Sequence, residues 1–256
     1  MKSYYHRGGN TPLLGSTIAE HFSGIVARFP GQEAVVSLPQ QKRLTYSALS
    51  DEIDQLAKGL LAIGFVKGDR IGIWSTNNIE WLLLQMATAR IGAVLVNINP
   101  AYHLHELAYA LNVSEIQGIF TIPAFHSNDY LAMLVELLPE LKLPYDKELS
   151  NSEFPFLRKV VVYDPGDTKQ NARLYDGLMT WSEVISAGKS ITTETLNEVT
   201  ASLDRDDPIN IQYTSGTTGF PKAVILTHHN ILNNAWFAAQ AMHFSEQDRL
   251  CVPVPF

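Results

Sequence analysis

A single cysteine, a shortage of charge and the lack of any long apolar run define what this sequence leaves out. Cys251 stands alone among 256 residues. Neither an internal disulfide nor a cysteine-built metal cluster can form, and a reducing cytoplasm is the expected setting. A thiol of this kind is expected to be a small buried hydrophobe rather than a nucleophile. Charged side chains make up 18% of the chain, against roughly 25% in ordinary soluble domains. With 19 Lys and Arg against 26 Asp and Glu, the net charge is -7, and there is no basic footprint for nucleic acid. Any polyanion must therefore be held locally. The most apolar long stretch, residues 81–96, is too short to cross a bilayer and is interrupted by Gln85 and Arg90, so no transmembrane segment is expected. Residues 1–10 contain Lys2 and Arg7 but no apolar centre, which does not fit a secretory signal.

Core material is plentiful, with 46% hydrophobic residues, enough for one large domain or two small ones. Ser16 and Thr17 are candidate caps for a helix whose apolar face is Ile18, Phe22, Ile25, Val26 and Phe29. A second helix places Leu49, Ile53, Leu56, Leu60 and Ile63 inward and stops at Gly64. Short apolar runs at 34–38, 70–74, 94–98, 118–122 and 160–163 alternate with helical patterns at 79–90, 104–111 and 128–138. Alternation of this kind predicts an α/β fold, in which crossover units surround mostly parallel sheets covered by helices. Residues 94–96 are apolar without a break, as in strands covered on both faces. The proline-bearing stretch 139–156 reads as a surface excursion, and 164–202 as short helices and loops.

The densest chemistry lies in Tyr213-Thr214-Ser215-Gly216-Thr217-Thr218-Gly219-Phe220-Pro221-Lys222. A strand over 209–213 delivers the chain into this run, and an apolar segment and a helix follow it. Thr214, Ser215, Thr217 and Thr218 offer hydroxyl donors, Gly216 and Gly219 allow backbone N–H groups to approach an anion, and Lys222 adds a full charge. That set suits a polyphosphate. It is not the common P-loop, because only two residues separate Gly216 from Gly219 and Ala223 follows the lysine. His228 is a lesser candidate, for a catalytic base, its simpler and preferred role being a helix-start histidine bonded to backbone. A first-turn imidazole is expected to be neutral, since the helix dipole disfavours its cation. His103 and His105 are two residues apart and share no helix face, so solvent or loop roles are preferred to a metal site.

The ten-residue run resembles the signature of the adenylate-forming (AMP-binding) superfamily, which includes acyl-CoA synthetases, luciferases and peptide-synthetase adenylation domains. Further segments are similar to that superfamily in the same order: Leu44-Thr45-Tyr46-Ser47-Ala48-Leu49, Gly68-Asp69-Arg70-Ile71, and Gly92-Ala93-Val94-Leu95-Val96-Asn97-Ile98-Asn99-Pro100. Asn99-Pro100-Ala101-Tyr102, Glu106-Leu107 and Asp207-Pro208-Ile209-Asn210-Ile211-Gln212 look most like fatty acyl-CoA synthetases of the medium-chain branch.

The resemblance implies a parent enzyme that joins a carboxylic acid to ATP, giving acyl-adenylate and pyrophosphate, and then forms acyl-CoA and AMP with coenzyme A. Magnesium ion, ATP, coenzyme A and a fatty acid are its implied small-molecule partners. Residues Thr214, Ser215, Gly216, Thr217, Thr218, Gly219, Phe220, Pro221 and Lys222 would bind the nucleotide phosphates, and Lys222 is not the adenylation lysine of the family's C-terminal domain. Family members are typically much longer than this chain. The implied organisation is the front part of a large N-terminal domain, with 1–203 as a first α/β subdomain, 204–256 as the phosphate-loop segment, and the C-terminal domain absent. A chain ending in an apparent apolar strand near 251–256 fits that division, and such a fragment is expected to be inactive alone. Ala223 stands where the family usually has Gly, which would narrow the backbone options if that position needed a positive φ. Two alternatives stay open: a related adenylating enzyme acting on aryl or amino acids, and a non-catalytic truncated paralogue. The acyl chain length and the oligomeric state are not set by these motifs.

Overall fold

A computed structural model describes residues 9, 11–144, 149–166, 175–214 and 221–254. Helix α1 (Ile18–Arg28) begins at Thr17, whose hydroxyl accepts the Glu20 N–H while the Glu20 carboxylate accepts the Thr17 N–H, a capping box. A hairpin of β1 (Glu33–Ser37) and β2 (Lys42–Thr45) leads into α2 (Tyr46–Ala62), capped by Thr45. Then come β3 (Arg70–Trp74), α3 (Ile79–Ile91), β4 (Val94–Ile98), α4 (Leu104–Val113) and β5 (Gly118–Thr121). The Asn78 side chain accepts the Trp81 N–H to start α3, and Gly92, at φ 75°, ends it in the left-handed conformation that glycine adopts without strain.

Two very short strands, β6 (Ala124–Phe125) and β7 (Asn128–Asp129), precede α5 (Tyr130–Leu137). The chain continues through β8 (Lys159–Val162), β9 (Met179–Thr180), α6 (Trp181–Ala187) and α7 (Thr193–Ala201). A closing hairpin of β10 (Pro208–Thr214) and β11 (Lys222–Thr227) is followed by α8 (His228–Ala241).

Seven strands form the main sheet in the order β11-β10-β4-β3-β5-β8-β9. Every pairing is parallel except the β10–β11 hairpin. The chain steps from β3 outward to β4 and then crosses back to β5 on the other side of β3. Right-handed crossovers in opposite directions place α3 and α4 on opposite faces. One helical layer contains α1, α2, α3, α6 and α7, while α4 packs with α5. Strands β3, β4, β5 and β8 are buried almost throughout, as expected for strands covered on both sides. Trp74 stacks on Tyr130 at 3.6 Å within this core.

Three sequence expectations need correction. The stretch 139–156 is not wholly a surface excursion, because Leu141 and Phe154 are buried in the main core; their apolar area outweighs the local polarity that suggested a loop. Residues 249–254 form no strand and pair with no strand among the described residues. Cys251 is exposed rather than buried, since it lies in that unpaired segment.

Candidate functional site

The last strand of the parallel set, β10, ends at Thr214 beside the C-terminal ends of β4 and β3. That edge of an open α/β sheet is where ligands bind, because the strands end there and the crossovers open a crevice. Antiparallel pairing brings the chain back so that Thr214 lies opposite Lys222 and Tyr213 opposite Ala223. Of the ten-residue run, Tyr213, Thr214, Pro221 and Lys222 are described. Ser215, Gly216, Thr217, Thr218, Gly219 and Phe220 lie outside the described residues. Both ends of the run are thus at one point of the sheet edge, with the Lys222 side chain exposed. Lys222 makes no ion pair among the described residues. Ala223 sits within a regular strand and not at positive φ, so the absence of glycine there carries no backbone cost.

Side chains of β10 alternate between faces. On the α4 face, the Tyr213 hydroxyl lies 2.6 Å from the Ser114 hydroxyl and donates to the Ala110 carbonyl at 3.1 Å. The Tyr109 hydroxyl, on the same helix, donates to the Pro221 carbonyl at 3.3 Å. Tyr102 meets the Tyr213 ring edge-on, with centroids 6.2 Å apart. Burial pushes the Tyr213 phenol up to about 12, more than the Ser114 hydrogen bond lowers it, so it stays a protonated donor. Burial likewise raises Tyr102. Tyr109 and Ser114 were not picked out from the sequence: each lies about a hundred residues from its partner, and only the fold joins them.

On the opposite face, Asn210 is fully buried and its amide donates to the Leu95 carbonyl and the Asn97 side chain. A small cavity of about 230 Å³ opens at the ends of β4 and β10, between Asn97, Asn99 and Gln212, with Trp81 and Tyr102 as apolar walls.

His228 is fully buried at the start of α8, where Thr227 caps the helix. Its Nδ1 accepts the Ile18 N–H at 3.2 Å, so a neutral ring carries its proton on Nε2, which has no partner among the described residues. Burial pushes the imidazole down to about 4, outweighing the opposite pull of Asp207. The ring is neutral, as the sequence implied, with burial as the leading cause. Asp207 is buried enough to raise it, yet the Asp204 N–H and the Lys67 ammonium, 2.6 Å away, hold it below the ordinary carboxylate range. Next along α8, the Asn233 side chain accepts the Leu14 N–H and donates to the Leu14 carbonyl. The segment before α1 is thereby strapped to α8 through His228 and Asn233. His103 and His105 are exposed. No three His, Cys, Asp or Glu side chains among the described residues converge as a metal cage.

Residues 22–256 match the family model described as AMP-binding enzyme. Among curated relatives, the medium-chain acyl-CoA ligase ACSF2, mitochondrial, of Danio rerio is 37% identical over 99% of this chain and 41% of its own length. YngI of Bacillus subtilis (strain 168), provisionally named an acyl-CoA synthetase, is 40% identical over 95% of this chain and 43% of its own length. The chain therefore spans well under half of the curated relatives it matches. Among solved structures, a long-chain-fatty-acid-CoA ligase (FadD1) from Archaeoglobus fulgidus superposes with a TM-score of 0.71 at 22% identity, over 96% of this chain and 43% of that one. The N-terminal domain of FACL13 from Mycobacterium tuberculosis gives 0.69 at 22% identity, over 93% of this chain and 51% of that one. These two likenesses establish the mixed α/β, mostly parallel fold. With both ends of the signature run at the sheet edge and a family match over nearly its whole length, this chain belongs to the AMP-binding enzymes, and acyl-CoA synthetases are among its relatives.

Proposed function

We propose that this chain is the nucleotide-facing front of an ATP-dependent acid–thiol ligase acting on a medium-chain fatty acid. The carrying observation is the hairpin that sets Thr214 opposite Lys222 at the carboxyl edge of the parallel sheet. In the reaction, a carboxylate oxygen bonds to the α-phosphorus of ATP, the bond from that phosphorus to the β-bridging oxygen breaks, and pyrophosphate leaves with the electron pair. The thiol sulfur of coenzyme A then bonds to the acyl carbon, its proton goes to a base, and AMP departs.

Crowded negative charge is the obstacle to the first step, so the protein's work is orientation and charge stabilisation. Thr214, Ser215, Thr217 and Thr218 would donate to the β- and γ-phosphates, the backbone at Gly216 and Gly219 would approach them closely, and Phe220 and Pro221 would shape the turn to Lys222. Lys222 would offset the charge that gathers on the departing pyrophosphate. A phosphate-bound magnesium ion would supply further charge neutralisation. The division at residue 203, and inactivity of the 256-residue chain alone, are part of the same reading. Relatives more than twice as long support the second of these. A reducing compartment such as the cytoplasm is the setting that suits an exposed, unpaired Cys251.

Carboxylate-dependent exchange of pyrophosphate into ATP tests the proposal, run on the longest natural form beside residues 1–256 with acids from acetate to palmitate and with benzoate. Exchange by the long form that peaks at a medium-chain acid is the expected result. A peak at benzoate would move the substrate to an aryl acid, and silence across every acid would favour a non-catalytic paralogue.

A further inference from the structure

We propose that helix α4 anchors both ends of the phosphate hairpin, and that Tyr109, Ser114 and Tyr213 are positioning residues for nucleotide binding. The inference rests on the reading of that hairpin as a phosphate grip, and it assigns work to a helix outside the signature run.

Three hydrogen bonds carry it. At the β10 end, the Tyr213 hydroxyl reaches the Ala110 carbonyl and the Ser114 hydroxyl. Ala110 belongs to the last turn of α4, and its carbonyl accepts the Ser114 N–H at 3.2 Å. The Tyr213 hydroxyl takes the second lone pair of that oxygen. A consistent proton order runs from Ser114 Oγ–H to the Tyr213 oxygen and from Tyr213 O–H to Ala110 O. At the β11 end, Tyr109 donates from the same helix to Pro221, the residue before Lys222. One rigid element thus holds the chain on either side of the loop.

The need for such an anchor follows from the sheet. Strand β11 is the edge strand, paired only with β10, and its first four residues are exposed. Ladder bonds to a single neighbour leave its end free to fray, and a lysine on a fraying strand is poorly aimed at a phosphate. The Tyr109 bond ties that end to the buried body of the protein, since α4 packs Leu107 and Leu111 into the core. Binding energy not spent on ordering the ends of the loop appears as affinity, the usual gain from preorganisation. Substitution by phenylalanine removes only the hydroxyls, leaving the ring contacts between Tyr102 and Tyr213 in place.

The test is made on the 256-residue chain and on Tyr109→Phe, Tyr213→Phe and the double variant, with ATP as the probe in an equilibrium binding titration. Hydrogen–deuterium exchange of peptides from β10, β11 and the core strands β3 and β4 is read in parallel. Each single variant is expected to weaken ATP about 3- to 10-fold, the factor that one net hydrogen bond corresponds to. The double variant should speed exchange at the facing ends of β10 and β11 while β3 and β4 keep their protection. Ser114→Ala should behave as Tyr213→Phe, and combining those two should add little, because they break one network. Unchanged exchange at the hairpin ends would overturn the anchor. Faster exchange with unchanged ATP affinity would reduce it to a stabilising contact and overturn the positioning role. If the protein binds ATP but its longest form activates no carboxylate, the ligase reading fails while the anchor stands; if neither the 256-residue chain nor its longest form binds ATP, both fail.

Discussion

Lys222 shows how much of the electrostatic argument rests on one side chain. It is exposed, it pairs with no acid among the described residues, and the net charge of the chain is -7. Nothing in the global field therefore attracts a polyphosphate. Lys222→Ala should weaken ATP by ~1–3 kcal/mol, the range for losing a charge-assisted hydrogen bond, and a binding titration that returns the wild-type affinity would remove it from the site. His228 makes the complementary point. Its partner Ile18 N–H lies 210 residues earlier in the chain, so the sequence could give its helix-start position and neutrality but not its role as a strap. Burial lowers its folded-state value to about 4 from an ordinary 6.5. The unfolded chain thus takes up the proton first as the pH falls. The stabilisation is complete above pH 6.5, is lost between about 6.5 and 4, and changes no further below that. Its size is at most ~3 kcal/mol, set among the nearby charges of Asp207, Glu20, Lys67 and Asp204. Urea midpoints of wild type should fall more steeply through this window than those of His228→Gln, and parallel profiles would contradict the assignment.

Elements with a strong period were legible, and those that exist only through a partner were not. The apolar runs at 70–74 and 94–98 gave β3 and β4 to the residue, because a strand buried on both faces needs an unbroken apolar segment. The α2 face was read from Leu49, Ile53, Leu56 and Leu60, all buried. By contrast β6, β7 and β9 have two residues each, too few to carry a pattern. Buried Leu141 and Phe154 were hidden by the prolines and charges around them. Close packing between helices was equally invisible. A methyl group added to Gly59 in α2 would stand 2.6 Å from the Val184 carbonyl oxygen of α6, and one added to Gly188 would stand 2.6 Å from the Gly59 nitrogen. The sequence shows only a glycine inside a helix, ordinarily a cost relative to alanine. Here the crossing demands it, and Gly59→Ala is expected to destabilise by ~1–3 kcal/mol through overpacking. A denaturant midpoint at or above wild type would show that α6 can yield.

At the scale of the molecule, the helices bury the centre of the sheet thoroughly and leave its β11 side bare. Ile225 is 59% exposed, and Val224, Phe237, Met242, Leu250 and Val254 are exposed on the same strand, helix and tail. A cleft of about 840 Å³ also opens between α3, β10 and α8, with Met86, Leu226 and Ile231 on its walls. An apolar edge strand of this kind pairs readily with another chain. Ile225→Lys is expected to reduce concentration-dependent association in sedimentation without lowering thermal stability, since the residue contributes no buried core. Association unaffected by the substitution would place the contact elsewhere.

The signature run 213–222 was recognisable from its residue types and order; the antiparallel pairing of its two ends, their position at the carboxyl edge and their ties to α4 required the fold. The most direct test is to titrate ATP, and separately pyrophosphate, into isotopically labelled protein while following backbone amide signals. The account predicts that both ligands shift Thr214, Gly216, Gly219 and Lys222, that pyrophosphate competes with ATP for them, and that signals from α6 and α7 stay still. Shifts confined to other parts of the chain, with these four amides unmoved, would contradict it.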